Sequence, residues 1–192
     1  MVSKLDHAIT FATMAHNGQF RKKSEIPYIV HPFAVAMLLM NEGCGENVVI
    51  AGLLHDTLED TKVTYDELVH EFGKEVADIV LACSEPDRRA SWKVRKQHTI
   101  DMLRHAPLDV KYVTCADKLH NVTTILNEYR RIGDAVWSRF HKGYVDQKWY
   151  YESIVKELWY NLDEGPLPRY SIFYRIRDKV RDLFGEDKKT GA

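Results

Sequence analysis

The chain has 192 residues, of which 45% are hydrophobic, so it can bury one full core and has little room for a second globular unit. With 27 Lys and Arg against 28 Asp and Glu, its net charge of −1 disfavours extended nucleic-acid binding, which leaves a basic imprint. Cys44, Cys83 and Cys115 are an odd number with no close pair, against a disulfide framework or zinc knuckle, and no apolar run approaches membrane-spanning length, so a reduced, soluble, cytoplasmic protein is expected.

Helices are predicted along the whole chain, an all-α, compact multi-helix bundle with no strand pattern. Ser3 caps a first helix carrying Leu5, Ala8, Ile9, Ala12 and Ala15 on one face and closed by Asn17-Gly18. After a loop, His31-Pro32 suits the first turn of a helix running to Asn41, since Pro fits a helix start. The run from Val48 to Leu54 is apolar on every side and predicts a buried helix ending at His55-Asp56. Thr64 with Glu67 reads as a capping box for a helix closing at Phe72-Gly73, and Val76 to Cys83 continues helically. Ser84 to Ser91, with Pro86, is expected to be a mobile loop before a basic helix from Trp92 to Arg104. Val113, Ala116, Leu119, Val122 and Leu126 mark a core helix within Val110 to Leu126. Beyond it, helices are predicted over Val136 to Leu162 and Tyr170 to Phe184, separated by Gly165-Pro166-Leu167-Pro168. Residues 1–162 are expected to form the domain, 163–192 a C-terminal helical extension packing on it, and Glu186 to Ala192 a frayed end.

His31, His55, Asp56 and Asp117 each fall where burial makes an unpaired polar group expensive. At the end of an apolar helix, a His and several carboxylates need a common cationic partner, and the negative end of the helix favours one. Two imidazoles and two carboxylates suit a divalent metal. Glu59 and Asp60 stand four residues after His55 and Asp56, a second rank of carboxylates, and Asn121 and Thr124 extend a polar strip along the helix of Asp117. A lone buried His is more often a structural residue, so His7, His16, His70, His98, His105, His120 and His141 are assigned to structure or surface. Trp159 and Tyr160 are read as core, and Tyr150 as a candidate for ligand contact.

The text Ala15-His16-Asn17-Gly18-Gln19-Phe20-Arg21-Lys22, Pro27-Tyr28-Ile29-Val30-His31-Pro32, Ala51 to Thr61 with the doublet His55-Asp56, Phe72-Gly73-Lys74-Glu75, Arg95-Lys96 and Ala116-Asp117-Lys118-Leu119-His120-Asn121 resembles the HD superfamily of metal-dependent phosphohydrolases. More closely it resembles the hydrolase domain of the RelA/SpoT homologue family, in its single-domain form, the small alarmone hydrolases. The resemblance implies Mn2+ on His31, His55, Asp56 and Asp117, with other transition metals able to replace it. It implies Glu59 and Asp60 acting on water or the leaving group, Arg21 against a guanine base, and Lys22, Asn121 and Thr124 in the nucleotide site. The segment from Arg21 to Pro27 lacks the glycine common before Pro-Tyr, and Lys118 stands where the long enzymes usually have Arg.

Basic residues cluster around Arg21-Lys22, Arg88 to Arg104 and Arg130 to Lys142, and Arg95 and Lys142 are candidates to meet phosphates beside the metal. The implied activity is hydrolysis of guanosine 3′,5′-bis(pyrophosphate), ppGpp, and its pentaphosphate pppGpp to GDP or GTP plus pyrophosphate, which lowers the stringent-response alarmone. The partner expected is this guanine nucleotide, with no nucleic acid and no membrane, and an oligomer is allowed. Two alternatives stand beside it: the same chemistry on another phosphorylated nucleotide such as NADPH, and a non-catalytic nucleotide-sensing or partner-binding module.

Overall fold

A computed structural model of the chain describes residues 3–22, 24–85, 89–162 and 171–185. The expected mobile residues Pro86 to Arg88, the Gly165 to Pro168 separator, the start of the expected extension and the expected frayed end lie outside the described residues. Helix α1 spans Lys4–Ala15, with the Ser3 side chain accepting from the Asp6 amide. Ala8 and Ala12 are buried, whereas Ile9, expected on the same face, is exposed, so the buried stripe is narrower than its apolar pattern. After α1 the chain makes an antiparallel bridge between Phe20 and Pro27, in which the Arg21 amide donates to the Ile26 carbonyl and the Tyr28 amide to Gln19. This clip places Arg21 and Tyr28 beside the entry to α2, Val30–Asn41, whose first turn carries His31.

Helix α3, Glu46–Leu54, buries every residue from Val48 to Leu54. Gly52 gives α2 its close approach, because a Cβ there would run into Leu39 and Val35. The helix stops at Leu54, where the Thr57 hydroxyl donates to the Leu54 carbonyl over 2.7 Å, and a single turn, α4 (Thr57–Asp60), resumes. His55 and Asp56 occupy the break. Helix α5, Tyr65–Phe72, starts with the full Thr64–Glu67 capping box. Gly73, at φ +84°, turns the chain into α6, Lys74–Cys83, and α7 spans Trp92–Arg104.

Helix α8, Leu108–Ile132, is the 25-residue spine of the bundle, packed against α2, α3, α6 and α10. The single helix predicted over Val136 to Leu162 is corrected. Gly133–Arg139 form a 3-10 segment and α9 runs only over Tyr144–Leu158. Trp137 causes the break: its indole N–H donates to Asp134, and its ring packs against Phe140, Tyr144 and Phe184. Burial of that aromatic cluster outweighs local helix propensity. Helix α9 ends where the buried Lys111 ammonium donates to the carbonyls of Glu157 and Tyr160. Helix α10, Ser171–Phe184, buries Ile172, Phe173, Ile176, Val180, Leu183 and Phe184, packing on α8 and α9. The described residues are thus an all-α bundle without a strand.

Candidate metal centre

The donor atoms of His31, His55 and Asp117 lie within 4.8 Å of one another. His31 Nε2 stands 3.2 Å from Asp117 Oδ1 and 3.6 Å from Asp56 Oδ2. His55 Nε2 stands 2.9 Å from Asp56 Oδ2 and 3.9 Å from Asp117 Oδ1. Donors held at about 2.0–2.2 Å from one ion are about 3 Å apart when adjacent in an octahedron and about 3.5 Å apart in a tetrahedron. His31, His55 and Asp117 thus form a set of donors close enough to share an ion, and Asp56 Oδ2 lies beside the two imidazoles without belonging to that set.

The chemistry of the donor set agrees. His55 Nδ1 lies 2.8 Å from the Gly52 carbonyl, which can only accept, so Nδ1 carries a proton and Nε2 is the nitrogen turned to the carboxylates. Buried Nε2 faces two carboxylates, with Asp56 Oδ2 at 2.9 Å, an arrangement that a cation between them satisfies. Burial opposes charge on His55, yet Asp56 and Asp117 outweigh it and hold its pKa up to about 9, the mark of a site demanding positive charge. Asp117 stays ionised: burial pushes its carboxyl up, but Lys118, 2.6 Å from Oδ2, and His31 carry it well below the usual range. Asp56 is lowered in the same sense, its burial overcome by His55. Asn121 Nδ2 donates to Asp117 Oδ1 over 2.5 Å, and Arg21 Nη2 in turn donates to Asn121 Oδ1 over 3.1 Å. Tyr28, kept protonated by burial and by Asp56, donates to Asp56 Oδ2 over 2.6 Å.

Of the second rank of carboxylates, Glu59 lines the cavity of about 150 Å³ that holds the four donors, while its Oε1 accepts from the Glu85 amide over 2.6 Å. Burial raises the Glu59 pKa, the Glu85 amide opposes this, and Asp56 adds to the rise. Asp60 takes a different place: its Oδ2 lies 3.4 Å from the Tyr28 hydroxyl that also serves Asp56.

A second cavity of about 500 Å³ adjoins the first, sharing Arg21, Tyr28, Lys96, Lys118 and Asn121 with it. Lys22, Thr124 and Tyr150 line this larger space, together with Trp92, His120 and Arg139. The Tyr150 hydroxyl is buried without a hydrogen-bond partner. Arg95 and Lys142 border neither cavity. Arg95 Nε lies 3.4 Å from Glu85 instead, and the Lys142 carbonyl accepts from Gln147. Lys96, next to Arg95, faces both cavities and holds Glu85 at 2.5 Å. Helical phase separates neighbours: on α7 a one-residue step turns the side chain by roughly 100°.

Sequence reasoning assigned no site role to Tyr28, Glu85, Lys118 or His120. Pairing of Lys118 with Asp117 was hidden by adjacency, since neighbouring helical residues do not normally face each other. His120, read as structural or surface, places Nδ1 2.7 Å from His31 Nδ1. Its burial, with His31 and Arg21 nearby, lowers its pKa to about 4.

Residues 8–141 match the family model described as HD domain, and the chain belongs to that family. It is 37% identical over 134 residues to guanosine-3′,5′-bis(diphosphate) 3′-pyrophosphohydrolase MESH1 of Xenopus tropicalis, covering 68% of this chain and 72% of that protein. The guanosine-3′,5′-bis(diphosphate) 3′-pyrophosphohydrolase of Haemophilus influenzae is 38% identical over 117 residues, which make up 58% of this chain and 17% of that protein. The matched segment thus spans about a sixth of such long relatives. Among solved structures, lmo0812 from Listeria monocytogenes EGD-e superposes with a TM-score of 0.75 at 40% identity, over 80% of this chain and 98% of that one. A structure described as a metazoan ortholog of SpoT that hydrolyzes ppGpp shares the fold, with a TM-score of 0.75 at 23% identity over 93% of this chain.

Proposed function

We propose that this chain is a Mn2+-dependent phosphohydrolase that removes pyrophosphate from the 3′ position of guanosine tetra- and pentaphosphate, leaving GDP or GTP. The observation that carries this reading is the donor cluster of His31, His55 and Asp117, with Asp56 beside it, opening onto a cleft lined by Arg21, Lys22, Lys96 and Lys118. Cations of this density suit a ligand bearing two diphosphates. Relatives named for this activity support the substrate class.

His31, His55, Asp56 and Asp117 would hold the ion, which supplies Lewis acidity toward a phosphoryl oxygen and toward water. In the reaction, a water oxygen bonds to the phosphorus attached to O3′, the phosphorus–O3′ bond breaks, and O3′ takes a proton. Glu59 would handle the proton: it lines the cavity, and burial raises its pKa, which favours the proton-holding form that a general acid needs. Asp60 acts through the Tyr28 hydroxyl that it shares with Asp56. Arg21, tied to Asn121, would lie against the base, while Lys22, Thr124 and Tyr150 form the wall of the wider cleft, where the nucleoside would find the unpartnered Tyr150 hydroxyl. Arg95 serves by holding Glu85 rather than by touching phosphate, and Lys142 would lie at the periphery.

Purified protein with Mn2+ should release GDP and pyrophosphate from guanosine tetraphosphate, and Asp56→Ala should abolish that turnover. Release of phosphate from NADPH alone would move the substrate to the second nucleotide class. A metal-loaded protein that turns over neither would refute the enzymatic reading.

A further inference from the structure

The contact between His31 and His120 constrains both rings. Their Nδ1 atoms are 2.7 Å apart, with ring centroids separated by 4.9 Å and planes inclined at 35°. Two ring nitrogens at this distance share one proton, because two lone pairs repel and two N–H groups collide. His31 is 1% exposed, and its Nε2 faces Asp117 and Asp56. If Nε2 gives its lone pair to a metal, a neutral His31 carries its proton on Nδ1 and must donate it. His120 Nδ1 is then the acceptor, and the His120 proton sits on Nε2. His55 solves the same problem with the Gly52 carbonyl on its own helix, whereas His31, in the first turn of α2, takes its acceptor from α8.

We infer that His120 is a positioning residue for the metal centre: through Nδ1 it fixes the tautomer and ring orientation of His31, and through its place on the wall of the larger cavity it couples that ligand to the nucleotide cleft. It does not itself touch the ion. The α8 helix thus supplies Asp117 directly and sets His31 indirectly, three residues later. This inference rests on the metal reading proposed above.

Calorimetric titration of metal-free protein with Mn2+ tests it. His120→Ala should bind Mn2+ roughly 10- to 100-fold more weakly than wild type, the usual cost of removing a partner behind a metal-bound histidine. His120→Asn, whose side-chain oxygen can accept in place of Nδ1, should recover most of that loss. Wild-type affinity in His120→Ala would overturn the inference while leaving the metal reading intact, whereas wild-type protein that binds no divalent ion would overturn both. Should His120→Ala fail to fold, long-range proton–nitrogen NMR on Zn2+-loaded wild type reads the tautomers directly. Protonated His31 Nδ1 with bare His120 Nδ1 supports the assignment, and a proton bonded to His120 Nδ1 refutes it.

Discussion

Glu59 shows how a single residue carries the tension between stability and chemistry. Burial and the neighbouring Asp56 raise its pKa, so the folded state holds the Glu59 proton more tightly than the unfolded chain does. The sign for stability follows from proton binding. Between the ordinary value of 4.5 and the raised folded value, folding takes up a proton, so stability declines as pH rises, and above that window the ionised group is a standing cost. Glutamine removes the charge and keeps an oxygen to accept from the Glu85 amide. Metal-free Glu59→Gln should therefore melt above wild type at pH 7 to 8, the gap closing as the pH approaches 4. Turnover should fall by about 10²- to 10⁴-fold, the range for losing a general acid or base. Thermal melts across this pH range, paired with product release, check both halves. A lower melting point at neutral pH would mean that the ionised carboxylate is stabilised by contacts beyond those described.

At the level of elements, the candidate metal ligands depend on how closely α2 and α3 approach. Gly52 lies under Leu39 and Val35, both fully buried, and its carbonyl also fixes the tautomer of His55. Gly52→Ala would push α2 away from α3. Overpacking of this kind costs about 1–3 kcal/mol, and for a chain of this size each kcal/mol lowers the melting point by about 2–4 °C. Because His31 rides on α2 and His55 follows α3, Mn2+ affinity should drop along with stability, a joint loss readable by calorimetry. The elements legible in the sequence were those specified locally. Ser3, the Thr64–Glu67 box and the apolar run of α3 act within a few residues, and each is where the pattern puts it. The burial and convergence of His31, His55 and Asp117 were legible because ionisable groups stand out against apolar text. What was not legible depends on distant partners: Trp137 breaking a helix by packing on Phe184, Arg95 pairing with Glu85, and His120 meeting a ring 89 residues away. Spacing along one helix shows which face a residue takes, but not which neighbour waits there.

Across the whole molecule, the candidate centre joins segments that only the complete bundle brings together, since Arg21 and Asn121 meet across 100 residues and His31 and His120 across 89. Helix α8 is the common member, with α2, which carries His31, and α3, which leads into His55, packed on it along with α10. Helix α10 is anchored at both ends. Glu42 accepts from the Ser171 hydroxyl and the Ile172 amide, and Lys148 donates to the Phe184 carbonyl over 2.8 Å. Between these anchors Phe173, fully buried, packs on Tyr112 of α8 and on Trp159 at the end of α9. Removing it should cost about 3–5 kcal/mol, a large part of a typical domain's total stability. Tyr112 lies more than one turn before Asp117 on α8. Phe173→Ala should therefore lower the melting point sharply while folded protein at low temperature keeps Mn2+ affinity within about twofold, as expected for independent sites. If affinity falls in step with stability, α10 helps set the position of α8 itself. The centre would then be a property of the whole bundle rather than of the three chain segments that carry its candidate ligands.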